Sequence, residues 1–190
     1  MRSTHNKRDF LDPVRFPTPD LIGQLLPETA QSYLNRMAQP QGGRVVELLR
    51  YPEDTVGGIM TNDVVSVPAT MTAAEAREAL HSRLREPDFI HFLYLVSDEE
   101  TPKLTGVTSL REFFLADGGQ KLEEMMNPYV MTLHALEPAQ DAAYKVLRSD
   151  LAALPVVGHE GQLLGAVTID VAVAQVAPAN WRAQSPRIFA

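Results

Sequence analysis

The 190-residue chain contains no cysteine. That removes disulfides, thiolate metal sites and a cysteine nucleophile together, and it suits a reducing compartment, so a cytoplasmic location is expected. Basic clusters are scarce. Lys plus Arg number 17 against 24 Asp plus Glu, a net charge of −7. The densest basic stretch is the Lys7-Arg8 pair. An acidic chain repels phosphate backbones, so no nucleic-acid partner is expected. Long apolar runs are also missing. The most apolar segment, LLGAVTIDVAVAQVAPA from Leu163, is interrupted by Asp170 and Gln175 and is too short to span a bilayer. The polar start MRSTHNKRDF carries no secretory pattern. Catalytic signatures are lacking as well: the chain holds neither H-E-x-x-H nor G-x-S-x-G, so no enzyme is expected. Of the five histidines, His91 lies in an apolar run and reads as a packed residue.

What is present is an internal repeat. Residues 1–19 are polar, carry three prolines and are expected to be flexible. From residue 20 the spacing turns helical, with Leu21, Leu25 and Leu26, then Tyr33, Leu34 and Met37. PQGG (40–43) reads as a break, followed by a short helix carrying Val45, Val46, Leu48 and Leu49 that Pro52 ends. Two similar units follow. One starts IMTNDVVSV, the other MMNPYVMTL. Each then predicts a helix. In the first, Thr72 and Glu75 suit a capping box and Ala76, Leu80 and Leu84 form a stripe; in the second, Pro138 opens the helix, and Ala142 and Val146 repeat the stripe. A strand (IHFLYLV, ALPVV), a polar turn, a second strand (LTGVTSL, LLGAVTI) and a short closing helix complete each unit. The class is therefore α+β, with two units sharing one core by pseudo-twofold symmetry.

The repeated M-[TN]-x-x-x-x-x-V start, LPVV in the middle and G-x-V-T at the end resemble a CBS-domain pair. LLRYPEDTVGGIMT, GVTSLREF and MMNPYV further resemble the cytosolic part of MgtE-type magnesium transporters. The resemblance implies tandem CBS units, each strand-helix-strand-strand-helix, preceded by a short all-helical segment. The expected boundaries are 20–56 for the end of a helical domain, 57–118 and 119–177 for the two CBS units, and 178–190 for a tail containing Trp181. The double glycine Gly57-Gly58 would then be the hinge into the first CBS unit, using positive φ or close backbone approach. No membrane channel follows residue 177 in this sequence, so the chain is expected to be either a piece of a longer protein or a stand-alone sensor.

CBS pairs commonly hold an adenine nucleotide, so ATP or AMP is one expected ligand. The family pattern G-x-x-[ST]-x-x-[DE] is complete at Gly106, Ser109 and Glu112. In the second unit it has Gly165 and Thr168, but Val171 replaces the acid and Asp170 stands one residue early. Pro155 of LPVV completes the candidate nucleotide set of Ser109, Glu112, Pro155, Thr168 and Asp170. The other reading is that Ser109 and Thr168 only cap their helices. The MgtE resemblance implies Mg²⁺ held between carboxylates, with Glu53, Asp54, Glu137, Asp141, Asp150 and Glu160 as candidates. It also implies a homodimer, and a membrane transporter half or another protein as partner. Three functions follow from the resemblance: a magnesium sensor, a nucleotide-binding regulator, or an interaction module with a degenerate cleft.

Overall fold

The computed structural model describes residues 41–83, 90 and 92–178. Two compact units divide at Tyr51/Pro52. The described part of the first is helix α1, Gln41–Leu48, closed by turns through Tyr51. Gly42 and Gly43 lie inside this helix, although the sequence pattern assigned them to a break. The helices expected over 20–40, together with Leu84, His91 and Trp181, lie outside the described residues.

The second unit contains the repeat. Its elements are α2 (Val56–Ile59), β1 (Ser66–Pro68), α3 (Ala73–Arg83), β2 (Phe92–Val96), β3 (Leu104–Ser109), α4 (Leu110–Leu115) and α5 (Leu122–Met125), and then β4 (Leu133–His134), α6 (Ala139–Arg148), β5 (Ala153–Val157), β6 (Leu163–Thr168) and α7 (Ile169–Val176). The opening strand of each repeat is shorter than its apolar pattern suggested. β1 has three residues and β4 has two.

Each half builds a three-stranded sheet, β1-β2-β3 and β4-β5-β6. The outer pair is parallel in both, and the hairpin pair antiparallel, with a register shift at Leu95/Val96 and at Val156/Val157. The strands alternate as a two-residue period requires. Leu93 and Leu95 join Ala73, Ala76, Leu80 and Phe113 beneath the helices of the first half. Tyr94 points the other way and packs with Ala153 and Ala166 of the second half. The helical stripes are buried as expected, Ala76 and Leu80 in α3, Ala142 and Val146 in α6. The Thr72–Glu75 capping box forms, with the Thr72 N–H donating to Glu75 Oε2 (2.8 Å) and the Glu75 N–H to Thr72 Oγ1 (3.3 Å).

The halves exchange their leading segments. The N–H groups of Val56 and Gly57 donate to the Glu137 and Ala135 carbonyls, and Ala139 N–H donates to Asp54. Thr61 and Ala166 exchange both backbone bonds, at 2.9 and 2.8 Å. The same contacts recur in the other direction. Leu122 and Glu123 donate to Met71 and Ala69, Ala73 donates to Gln120, and Asn127 pairs with Val107. Each repeat is thus strapped onto its sibling before its own first strand begins.

This exchange revises the role of the double glycine. Gly57 and Gly58 form part of α2, and neither has positive φ; among the described residues only Asp150 and Gly161 do. The expected close approach is present at Gly58, where a Cβ would press on the Pro52 carbonyl and on Glu53 Cα. Tight packing of the strap requires that glycine, rather than a hinge with left-handed backbone.

Candidate functional site

The end of β3 and the start of α4 build the better-formed site. Ser109 is the N-cap of α4 and Glu112 its third residue. The Glu112 N–H donates to Ser109 Oγ (3.2 Å), while the Ser109 N–H and hydroxyl donate to Glu112 Oε2 (3.1 and 2.9 Å). This reciprocal box satisfies helix-end donors that have no partner within the helix. The hydroxyl and N–H of Ser109 hold the Glu112 carboxyl below the usual glutamate range, with a smaller contribution from Thr108. The carboxylate is therefore charged at neutral pH and keeps capacity to accept a ligand's hydroxyls.

Ser109 and Glu112 open onto a cleft of about 210 Å³ between the two sheets. Phe92, Tyr94 and Val107 wall it from the first half, Leu151, Ala153 and Pro155 from the second, with Asn127, Tyr129, Val130 and Met131 on the connecting strap. Tyr94 is 3% exposed, and its burial pushes the phenol's pKa up, so it stays neutral. The lining is mostly apolar with a few convergent polar groups, the composition of a small-molecule site.

The pseudo-equivalent cleft is nearly closed, at about 30 Å³. Thr61, Asp63 and Thr168 border it, and Ile90, Phe92 and Tyr94 occupy the wall that Leu151, Ala153 and Pro155 form on the other side. Two rings in place of an alanine and a proline fill the space. Thr168 is the N-cap of α7 but makes no side-chain cap bond. Val171 at the box position offers no carboxylate to reciprocate.

Of the five candidate nucleotide residues, the structure brings Ser109, Glu112 and Pro155 to the larger cleft and Thr168 to the smaller. Asp170 is exposed in the first turn of α7 and lines neither. No sequence motif singles out Asn127, Tyr129 or Tyr94 as site residues. The signal for the first two was the repeat itself, since MMNPYV carries the strap that crosses the cleft.

The six metal candidates lie on the leading strap, on the segment 137–141 that it meets, and near β5. Among the described residues no three His, Asp or Glu side chains are grouped to hold a metal. Glu137 is engaged by Lys145 Nζ at 2.7 Å. Asp150 takes φ 56°, a left-handed turn that aspartate tolerates. Glu160 sits exposed in the β5–β6 hairpin, Asp141 is exposed on α6, and Glu53 and Asp54 are exposed on the strap, where the Asp54 carbonyl binds the Ala139 N–H.

The CBS-domain family model matches residues 56–119 and 122–171. The chain belongs to the CBS-domain family. The two matches coincide with the two sheets, so this is a CBS pair. It is homologous to MgtE magnesium transporters: the magnesium transporter MgtE of Thermus thermophilus is 36% identical over 138 residues, 72% of this chain and 30% of that protein. That of Enterococcus faecalis is 32% identical over 130 residues, 68% of this chain and 28% of that protein. The pair thus spans under a third of the curated MgtE relatives it matches. A crystal structure of the cytosolic domain of the Mg²⁺ channel MgtE in complex with ATP superposes with TM-score 0.73 and 31% identity, covering 82% of this chain and 62% of that one. No helix among the described residues is long and apolar enough to cross a membrane.

Proposed function

We propose that this CBS pair is a non-catalytic regulatory module that binds an adenine nucleotide in the Ser109–Glu112 cleft, as part of a magnesium-transport system. The observation that carries the reading is the charged carboxylate and cap hydroxyl of one helix start beside a largely apolar inter-sheet cleft. The ATP-bound MgtE relative supports it. Glu112 would accept hydrogen bonds from ribose hydroxyls while the apolar walls hold the base. The ligand would bridge both halves, so binding would favour one arrangement of the straps over others. A cytoplasmic homodimer associated with a transporter's membrane part fits the same relatives.

Mg²⁺ is the second reading, favoured by the magnesium transporters among the relatives. One or two of the six acids would then hold the metal together with water, or with carboxylates from a second copy or from residues outside those described.

Thermal unfolding of the full chain tests both. A ligand that binds only the folded state adds about 2.7 kcal/mol at a hundredfold excess over Kd. For a chain of this size that is a rise of roughly 5–10 °C. The expected result is a rise with AMP or ATP that Glu112→Ala largely removes. A rise with millimolar MgCl₂ and none with nucleotide or matched NaCl would replace the first reading by the second. No rise with any of them would overturn both.

A further inference from the structure

We infer that Tyr129 covers the larger cleft and selects ligands carrying a flat nitrogenous ring, an inference that rests on the nucleotide reading above. Tyr129 lines the cleft with its side chain almost wholly in solvent, the residue being 91% exposed. Its backbone is fixed. The Tyr129 N–H donates to Asn127 Oδ1 at 3.0 Å, and Asn127 is itself paired with Val107 through two backbone bonds. The ring can therefore swing over the cleft by side-chain rotation alone, from an anchored Cα. Met131 and Leu151, 52% and 40% exposed, border the same cleft and give the ring apolar neighbours.

Two further facts point to a ring-bearing ligand. At about 210 Å³ the cleft is smaller than the roughly 300–1,000 Å³ of ordinary small-molecule pockets, so a nucleoside inside it leaves part of its surface uncovered. An exposed phenol at that opening supplies the missing face, because stacking on an aromatic ring serves any flat base. Among the described residues the lining contains one carboxylate and no Lys or Arg, which favours hydroxyl donors over phosphate oxygens inside the cleft. The base and ribose enter, and the phosphates project into solvent. In the smaller cleft the pseudo-equivalent residue is Asp63, so the device belongs to one cleft only.

Calorimetric titration of the full chain with AMP and with ribose 5-phosphate tests the inference on wild type, Tyr129→Ala, Tyr129→Leu and Tyr129→Phe. An exposed side chain should tolerate all three changes, and unliganded melting temperatures check that they do. The expected result is an AMP affinity at least tenfold weaker in the Ala and Leu variants and within twofold of wild type in Phe. Ribose 5-phosphate, which has no base, should bind all four proteins alike. Equal AMP affinity in wild type and Tyr129→Ala would overturn the inference while leaving the nucleotide reading intact. Full restoration by leucine would also overturn it, since a flat ring would then be unnecessary. If the wild type binds no AMP, the nucleotide reading fails and the stacking role falls with it.

Discussion

Ser109 and Thr168 occupy the same place in the two repeats, yet they do different work. The Ser109 hydroxyl both accepts from and donates to Glu112, whereas Thr168 makes no cap bond. Ser109→Ala should therefore cost about 1 kcal/mol and lower Tm by roughly 2–4 °C, while Thr168→Ala costs a few tenths at most. Differential scanning calorimetry of the unliganded variants reads the contrast directly. Glu112 adds a pH signature. Its folded-state pKa is depressed by Ser109, so its contribution is present above the ordinary glutamate value of 4.5 and is lost as pH falls below it. Glu112→Gln should thus be less stable than wild type at neutral pH, by a margin that closes as pH falls below the glutamate range in urea titrations. Glu75 and Asp98, also depressed by local hydrogen bonds, titrate in both proteins and cancel in the comparison. This box was legible in the sequence because its partners are three residues apart. The engagement of Glu137 by Lys145 was not, because a list of acids carries no information on which are already paired.

At the scale of elements, the straps decide what the glycines are for. The CBS resemblance implies that Gly106 and Gly165 belong to a ligand motif. In the fold, each faces the segment crossing over from the other repeat. A Cβ on Gly165 would fall against the Thr61 carbonyl oxygen, and one on Gly106 would meet Met126 Sδ at 2.7 Å and the Asn127 carbonyl at 2.9 Å. Backbone cannot yield as a methionine side chain can. Gly165→Ala should therefore destabilise by about 3 kcal/mol or more and Gly106→Ala by less, as chemical denaturation would show. Element types were readable from period and punctuation, and β5 coincides with ALPVV. The exchange was hidden, because a repeat in sequence says nothing of which copy a leading segment packs upon. Equally hidden was Arg77, whose guanidinium donates to the Phe113 and Ala116 carbonyls and lies 5.6 Å from the Phe113 ring centre. Those contacts close the end of α4 across more than thirty intervening residues.

For the CBS pair as a whole, pseudo-symmetry is broken where ligands would bind. Phe92 and Tyr94 of the first half stand opposite Ala153 and Pro155 of the second, so one cleft is open and the other nearly filled. Calorimetry should therefore give one nucleotide per chain. A value near two would require the aromatic pair to move aside. Tyr94→Ala should enlarge the smaller cleft, yet Val171 leaves the start of α7 without the carboxylate that Glu112 supplies to the other cleft, so a second strong site is not expected to appear.

The sequence by itself determined the repeat, the α+β class and the three-residue spacings of Thr72–Glu75 and Ser109–Glu112. Each is written in local spacings that short-range sterics and hydrogen bonding enforce. The tertiary structure alone decided that the straps cross, that Lys145 engages Glu137, and that Tyr129 stands at the mouth of the cleft. Those facts depend on which distant surfaces meet once the apolar faces of both repeats are buried together, and one-dimensional spacing does not encode that meeting.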